Sequence, residues 1–88
     1  MITFERARAV AAASRKVRRF FGEGYSIRPY GWQNDEVFMV VALAADGVEM
    51  FDAPDVLVDK QTGALTLVYG LLGKMPADNL VPIGDVPE

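Results

Sequence analysis

The 88-residue sequence contains neither cysteine nor histidine. Without cysteine, the chain forms no disulfide and offers no thiolate ligand to a metal ion. Without histidine, it lacks the side chain that most often binds metals and acts as a general base near neutral pH. We therefore expect no bound metal and no other cofactor, and the composition is compatible with a reducing compartment.

Residues for nucleophilic or phosphate chemistry are also scarce. The only two serines, Ser14 and Ser26, lie outside any G-x-S-x-G motif, and no histidine is present to activate them. The segment GLLGK at residues 70–74 lacks the length and the serine or threonine of a phosphate-binding loop. The adjacent carboxylates Asp35 and Glu36 would point to opposite sides of a strand, so they would not flank one glycosidic bond. The sequence therefore predicts a protein that is not an enzyme.

Long apolar runs are absent as well. The longest run, residues 37–45, has nine residues, whereas a helix needs about 20 to cross a bilayer. The start of the chain lacks the basic segment followed by an apolar segment that marks a secretory signal. We therefore expect a soluble cytoplasmic protein with no membrane partner.

Charges of opposite sign are separated along the chain. Residues 1–21 carry six basic residues and one acidic residue, a net charge of +5, whereas residues 22–88 carry three basic and eleven acidic residues, a net charge of −8. Four of the basic residues would lie on or beside one helix face: Arg8, Arg15, Lys16 and Arg19. This face is either simply solvated or contacts phosphates or an acidic partner. A pI of about 4.8 disfavours nucleic acid, so we do not expect nucleic acid as a partner.

The length and pattern of the chain predict one α+β domain over residues 1–88. Residues 3–21 predict an amphipathic helix, with Thr3 as its N-cap and Gly22 as its C-terminal stop. We expect this N-terminal helix to pack on one face of a small antiparallel sheet of three to four strands.

The strands are predicted from β-branched and apolar residues between turn signals. Residues 36–45 predict the central strand, with apolar side chains on both faces. Residues 25–30 predict a shorter strand that Pro29 either places at a sheet edge or ends. Residues 56–69 predict a hairpin in which Gly63 adopts a positive φ angle. The hairpin connection would expose Asp59, Lys60 and Gln61. The other segments are assigned as loop (31–35), turn (45–48), strand or crossing loop (48–53), helical turn (77–81) and irregular tail (82–88).

Two groups of residues are candidates for contact with a protein partner. Tyr30 and Trp32 form an aromatic pair near carboxylates, and Trp32 would either anchor an interface or close the end of the core. Acidic residues within 46–59 would present a negative surface to a basic partner, although several also suit turns. The acidic candidates are Asp46, Glu49, Asp52 and Asp55. Their spacing does not match a calcium-binding loop, so no metal site is predicted.

Several segments of the chain resemble a known family. They are ITFERARAVAAA (residues 2–13), YGWQNDEVFMVV (30–41), VLVDKQTG (56–63) and VPIGDVPE (81–88). In this order they resemble the YrhB-like family of small bacterial immunity proteins. The resemblance implies a cytoplasmic protein that binds and neutralises a cognate toxin of a polymorphic toxin system. It implies no catalytic residue.

Two functions of different classes remain as hypotheses. The first is a non-catalytic protein-binding module, an immunity protein whose contact with its partner includes the six candidate residues: Tyr30, Trp32, Asp46, Glu49, Asp52 and Asp55. The alternative is a small structural, chaperone-like or homo-oligomeric domain, for instance a homodimer, without a toxin partner. It is motivated by the strand at residues 37–44, because a single helix covers only one of its two apolar faces.

Overall fold

The N-terminal segment folds into two short helices rather than the single predicted helix. In a computed structural model that describes residues 1–47, 53–69 and 78–85, α1 spans Phe4–Ala12 and α2 spans Arg15–Phe21. The hydroxyl of Thr3 accepts a hydrogen bond from the backbone N–H of Arg6 and begins α1. Ser14 has an extended backbone, and its hydroxyl accepts from the N–H of Val17 at 3.3 Å. Because Ser14 caps a new helix in this way, it breaks the helical run.

Tyr25 closes the break between the two helices. Its hydroxyl lies 2.7 Å from the carbonyl oxygen of Ala11 and 2.8 Å from that of Ala12. The last carbonyls of a helix lack intrahelical partners, and a phenol can donate its one proton to them. Burial is the main cause that raises the pKa of Tyr25, so the hydroxyl stays protonated as a donor.

The sheet has five antiparallel strands in the order β4-β3-β2-β1-β5. The strands are β1 Ser26–Gln33, β2 Val37–Leu43, β3 Asp55–Asp59, β4 Leu65–Val68 and β5 Val81–Gly84. The prediction of an α+β fold with an N-terminal helix packed on an antiparallel sheet is confirmed, and β2 is the central strand as predicted. The expected count of three to four strands is too low, because the sheet also contains β5, which the sequence did not predict.

The first strand runs past Pro29 and lies inside the sheet, so the predictions of an edge strand and of a loop at residues 31–35 are wrong. Ile27 lies opposite Ala42 and Gly31 lies opposite Val40. Four residue steps on β1 therefore match two steps on β2, which is a bulge. Pro29 fits into β1 because it falls within this irregular stretch, where no regular ladder hydrogen bond is required of it.

The bulge is held by an arginine of the first helix. The Nε of Arg8 donates to the carbonyl of Arg28 at 2.9 Å, and its Nη2 donates to the carbonyl of Ile27 at 3.2 Å. Arg8 is consequently half-buried and belongs to the packing between α1 and β1. The interpretation of Arg8 as part of a solvated basic face is wrong.

The fifth strand includes residues 82–84, the first three of the predicted irregular tail. Pro82 lies opposite Trp32, and the hydrogen bond from the Asp85 N–H to the Pro29 carbonyl sets which pairs of β1 and β5 are hydrogen-bonded. By alternation Pro82 occupies a non-hydrogen-bonded position, so its missing N–H would have pointed away from the sheet. Residues 78–81 form no helical turn, and residue 77 lies outside the described residues.

The predicted hairpin at residues 56–69 is confirmed as β3 and β4, with β3 beginning one residue earlier, at Asp55. One carboxylate oxygen of Asp59 accepts from the N–H groups of Gln61 and Thr62 at 2.8 and 3.0 Å. Gly63 has a φ of 76°, the left-handed conformation that the turn requires. The predicted segment at residues 48–53 lies almost entirely outside the described residues.

The hydrophobic core lies between the two helices and one face of the sheet. From the sheet it contains Phe38, Val40, Val56 and Val58; from the helices it contains Phe4, Ala7, Ala11, Val17 and Phe21. Alternation along β2 sends Val37, Met39, Val41 and Leu43 to the other face, as predicted. We call this other side of the sheet, which the helices do not cover, the outer face.

Candidate functional site

Apolar and aromatic side chains follow one another across the outer face. The strand register places Trp32 of β1 opposite Met39 of β2, and Met39 opposite Leu57 of β3. Residues that are directly opposite in antiparallel strands have side chains in contact distance on the same face. The rings of Tyr30 and Trp32 meet edge to face with centroids 6.2 Å apart. The aromatic pair that the sequence predicts as a candidate therefore belongs to a continuous apolar surface.

A cavity of about 340 Å³ lies where β2 ends and β3 begins. Its wall takes residues from both sides of the sheet, with Phe21, Val40 and Val56 on the core side. Its walls include three of the six predicted contact residues: Tyr30, Trp32 and Asp55. Further outer-face residues in its wall are Met39, Val41 and Leu43, with Ala53 and Pro54 where the chain enters β3. Tyr30 and Trp32 are half-buried, so each keeps part of its ring available to a ligand. The cavity thus joins the aromatic pair to one carboxylate.

Asp55 is a carboxylate in apolar surroundings. It lies opposite Val68 of β4, and the register of β2 and β3 places Val41 on its other side. Burial raises the pKa of Asp55 above its ordinary value. No hydrogen bond or ion pair joins its carboxylate to any residue that the structure describes. A half-buried carboxylate without a partner gains from a cationic ligand, because pairing offsets the lost hydration.

The chemistry of this cavity suits a cationic group carried on an apolar stem. The carboxylate supplies the negative charge, and the rings of Tyr30 and Trp32 can attract a cation through their faces. The aliphatic parts of lysine and arginine side chains pack on apolar walls while their charged ends reach a carboxylate. The site is therefore suited to a basic side chain of another protein.

Asp55 and Asp59 should respond to pH in opposite directions. The raised pKa of Asp55 means that the folded protein binds more protons between the unfolded and folded pKa values, so this carboxylate destabilises the fold at neutral pH. Hydrogen bonds from the backbone N–H groups of Thr62 and Gln61 lower the pKa of Asp59. Its charged form therefore stabilises the fold at neutral pH, and that stabilisation is lost as pH falls through the lowered pKa.

We expect Asp55→Asn to raise the free energy of unfolding at neutral pH and Asp59→Asn to lower it. Both differences from the wild type should shrink in strongly acidic solution, where the wild-type carboxyls are themselves protonated. Urea unfolding of the three proteins at neutral and acidic pH measures this. A neutral-pH stability of Asp55→Asn equal to or below that of the wild type would contradict the burial of an unpaired carboxylate.

Asp46, the other acidic candidate that the structure describes, does not line this cavity. Asp46 is exposed in the turn at residues 45–47, where the Gly47 N–H donates to the Ala44 carbonyl at 2.9 Å; the turn itself is as predicted. Glu49 and Asp52 lie outside the described residues. Among the described residues, Asp55 is the only acidic candidate in the cavity wall.

Lys60 is a buried lysine that the sequence places on an exposed connection. Only 8% of it is exposed, so the prediction of an exposed contact is wrong for this residue. Its ammonium donates to the Gln33 side-chain oxygen at 2.9 Å and lies 4.7 Å from the centre of the Phe38 ring. Its carbonyl accepts from the Ile2 N–H at 2.8 Å. Lys60 thus ties the chain before α1 to the ends of three strands.

Lys60 also borders a surface depression of about 800 Å³. Its wall contains Gln33, Asn34, Asp35, Glu36, Asp78, Asn79 and Val81. The carboxylates there are exposed. The side-chain amide of Asn34 donates to the Asp78 carbonyl and accepts from the N–H groups of Glu36 and Val37. These contacts hold the β1–β2 turn against the segment before β5.

Comparison with protein-family models, with curated proteins and with solved structures gives no match for this chain. No helix within residues 1–47, 53–69 and 78–85 is long and apolar enough to cross a membrane. In the same ranges, no group of three or more acidic side chains is placed to hold a metal ion.

Proposed function

We propose that this protein is a non-catalytic protein-binding module that binds a partner through its outer face. The observation that carries the proposal is the cavity whose wall contains Tyr30, Trp32 and Asp55, a carboxylate with no hydrogen bond or ion pair to any described residue. Half-buried aromatic side chains next to a pocket are typical anchors of protein interfaces. Leu57 of β3 is half-buried and extends the contact area beyond the aromatic pair, with the buried Met39 between Trp32 and Leu57.

The partner that fits this surface presents a lysine or arginine among apolar side chains. Its cation pairs with Asp55, and its apolar groups pack on the ring of Trp32 and on Leu57. The net charge of −3 favours encounter with a basic protein, because opposite charges speed association.

We further propose that the partner is a bacterial toxin and that the protein is its cytoplasmic immunity protein. The support is the resemblance of four segments to the YrhB-like immunity family, together with the charge of −8 on residues 22–88. Toxins that act on nucleic acid are commonly basic, since they bind phosphates. In this form the module neutralises the toxin by covering it and performs no chemistry of its own.

The test is binding to the toxin domain encoded beside this protein's gene, measured by calorimetry and by survival of cells that express both. We expect Asp55→Lys to weaken binding about 100-fold and Trp32→Ala to weaken it at least about tenfold. Asp35→Lys is the matched control, because Asp35 is exposed and lies outside the cavity; it should change affinity less than about threefold. Tight binding that Asp55→Lys leaves unchanged would refute the outer face as the contact, and absence of any binding would refute the immunity form.

A homo-oligomer is the second candidate, and the apolar row of Trp32, Met39 and Leu57 is the observation that favours it. Asp55 separates the two candidates. A symmetric dimer on the outer face would bury two copies of this carboxylate without a cation, so Asp55→Asn should strengthen it. Binding of a basic partner should instead be weakened by Asp55→Asn. Sedimentation of both proteins over a range of concentrations decides: a monomer at every concentration excludes the dimer.

A further inference from the structure

A second groove lies on the helix side of the molecule, between α2 and the edge strand β4. It encloses about 420 Å³, and its wall consists of Lys16, Arg19, Phe20, Thr66, Leu67 and Tyr69. The rings of Phe20 and Tyr69 meet edge to face with centroids 6.2 Å apart. Tyr69 is 67% exposed, so most of its side chain is accessible to a ligand. We call this site the edge groove.

The two cations of the edge groove are not neutralised by the structure. The Nη1 of Arg8 lies 3.6 Å from a carboxylate oxygen of Glu5, and the Nε of Arg18 lies 3.8 Å from a carboxylate oxygen of Glu23. Lys16 and Arg19, by contrast, form no ion pair or hydrogen bond with any residue in the described ranges. Both are exposed. The groove is therefore a positive, aromatic site on a protein whose net charge is negative.

The strand beside the groove has unused hydrogen-bonding groups. β4 ends the strand order of the sheet. The bond from the Asp59 N–H to the Ala64 carbonyl at 2.9 Å fixes which residues of β4 bond to β3. By alternation the backbone of Thr66 faces β3, and the N–H and carbonyl groups of Leu65 and Leu67 point outward. Among the described strands none pairs with this outer edge.

We propose that the edge groove binds an extended, acidic segment of a partner protein, which adds to the sheet as a strand along β4. The outward groups of Leu65 and Leu67 supply backbone hydrogen bonds, as in other sites that capture a peptide by strand addition. Every second side chain of the added strand faces the helix side. There, acidic side chains pair with Lys16 and Arg19, and an apolar or aromatic side chain between them packs on Phe20 and Tyr69.

A single nucleic-acid strand is the competing ligand, since cations beside aromatic rings also suit phosphates and stacked bases. Two observations favour the peptide. The outward N–H and carbonyl groups of β4 form a ladder that only another polypeptide backbone completes. The net charge of −3 and a pI of about 4.8 oppose a polyphosphate over most of the surface. The edge groove is separate from the outer face and takes ligands of the opposite charge, so it stands independently of the function proposed above.

The test is a titration of the whole protein with a short blocked peptide in which glutamate alternates with valine around one central phenylalanine. We expect saturable binding. In NMR spectra, the largest changes in backbone amide chemical shift should occur at Leu65 and Leu67. The double substitution of Lys16→Glu and Arg19→Glu should weaken binding about tenfold, which corresponds to about 1.4 kcal/mol. The matched control is the double substitution of Arg6→Glu and Arg15→Glu. It makes the same charge change at exposed positions outside the groove and should weaken binding less than about threefold.

Further controls make each outcome decisive. A peptide with lysine in place of glutamate, and one with methylated backbone nitrogens along one edge, should both fail to bind. Circular dichroism confirms that the variants fold. Equal affinity of the two double variants would overturn the proposal, as would tighter binding of a single-stranded oligothymidine than of the acidic peptide. A sedimentation shift that depends on Lys16 and Arg19 without peptide would show that a second copy occupies the groove, and would also overturn it.

Discussion

Replacing Gly31 with alanine is expected to lower the free energy of unfolding by about 3 kcal/mol. Gly31 is buried in β1, between β2 and β5. A Cβ at this position would overlap the Met39 carbonyl oxygen and come within 3.3 Å of the Phe4 ring. Neither neighbour can move easily, because one is backbone of the central strand and the other is a core side chain. Small domains have about 5–15 kcal/mol of stability, so urea unfolding should show a large shift of the midpoint.

Gly47→Ala is the matched control for this prediction. Gly47 has a φ of 73° in an exposed turn, and a Cβ there would meet no atom within 4 Å. The substitution carries only the backbone cost of a left-handed residue, about 1 kcal/mol. A loss at Gly31 no larger than the loss at Gly47 would contradict the close approach of β1 to β2 and Phe4.

The sequence predicts best those elements whose hydrophobic alternation and turn residues agree. In the hairpin, Asp59 and Gly63 both favour the connection that forms, since one binds backbone N–H groups and the other adopts positive φ. In β2 the alternation continues for the whole strand, so both its central position and its two faces follow from the pattern. Local preference and long-range packing point to the same structure in these segments.

Elements that depend on distant partners are predicted poorly. β1 passes Pro29 because Arg8, on a helix 20 residues away in sequence, bonds the carbonyls that the bulge leaves unpaired. β5 is only four residues long and contains Pro82. Its sequence therefore lacks a recognisable strand pattern and is typical of an irregular tail. The helix break at Ser14 did carry a local signal, since serine is a good N-cap, but the apolar periodicity on both sides of it favours one helix.

In the candidate site, too, some residues are predictable from local sequence and others only from the strand pairing. Tyr30 and Trp32 are recognisable as interface candidates from residue type alone, and the register then adds Met39 and Leu57 to their surface. Asp55 differs from the neighbouring acids only through strand pairing, which places it between Val41 and Val68. Lys60 gives no sequence signal of burial, because the ring that receives its ammonium lies 22 residues earlier in the chain.

Replacing Phe38 with alanine is expected to cost about 4 kcal/mol of stability. Phe38 is 4% exposed, and its ring packs on that of Phe4 with centroids 5.7 Å apart. The substitution removes this packing and leaves a void in the centre of the sheet. It also removes the ring face that lies 4.7 Å from the Lys60 ammonium. Phe38→Leu retains apolar volume and should cost less, so the difference between the two variants in urea unfolding measures the cost of the void.

A second substitution, Lys60→Met, measures how much the contact between the Phe38 ring and the Lys60 ammonium contributes to stability. Methionine has a similar shape without the charge, and replacing a buried charge by an apolar side chain is often close to neutral. We therefore expect Lys60→Met alone to change stability by less than about 1 kcal/mol. In the Lys60→Met background, Phe38→Leu should lower the free energy of unfolding by up to about 1 kcal/mol less than it does in the wild type. The reason is that no ammonium is then present to lose its contact with the Phe38 ring. If the cost of Phe38→Leu is the same in both backgrounds, the ring does not stabilise the ammonium, and the bond from Lys60 to Gln33 at 2.9 Å is what keeps the charge in place.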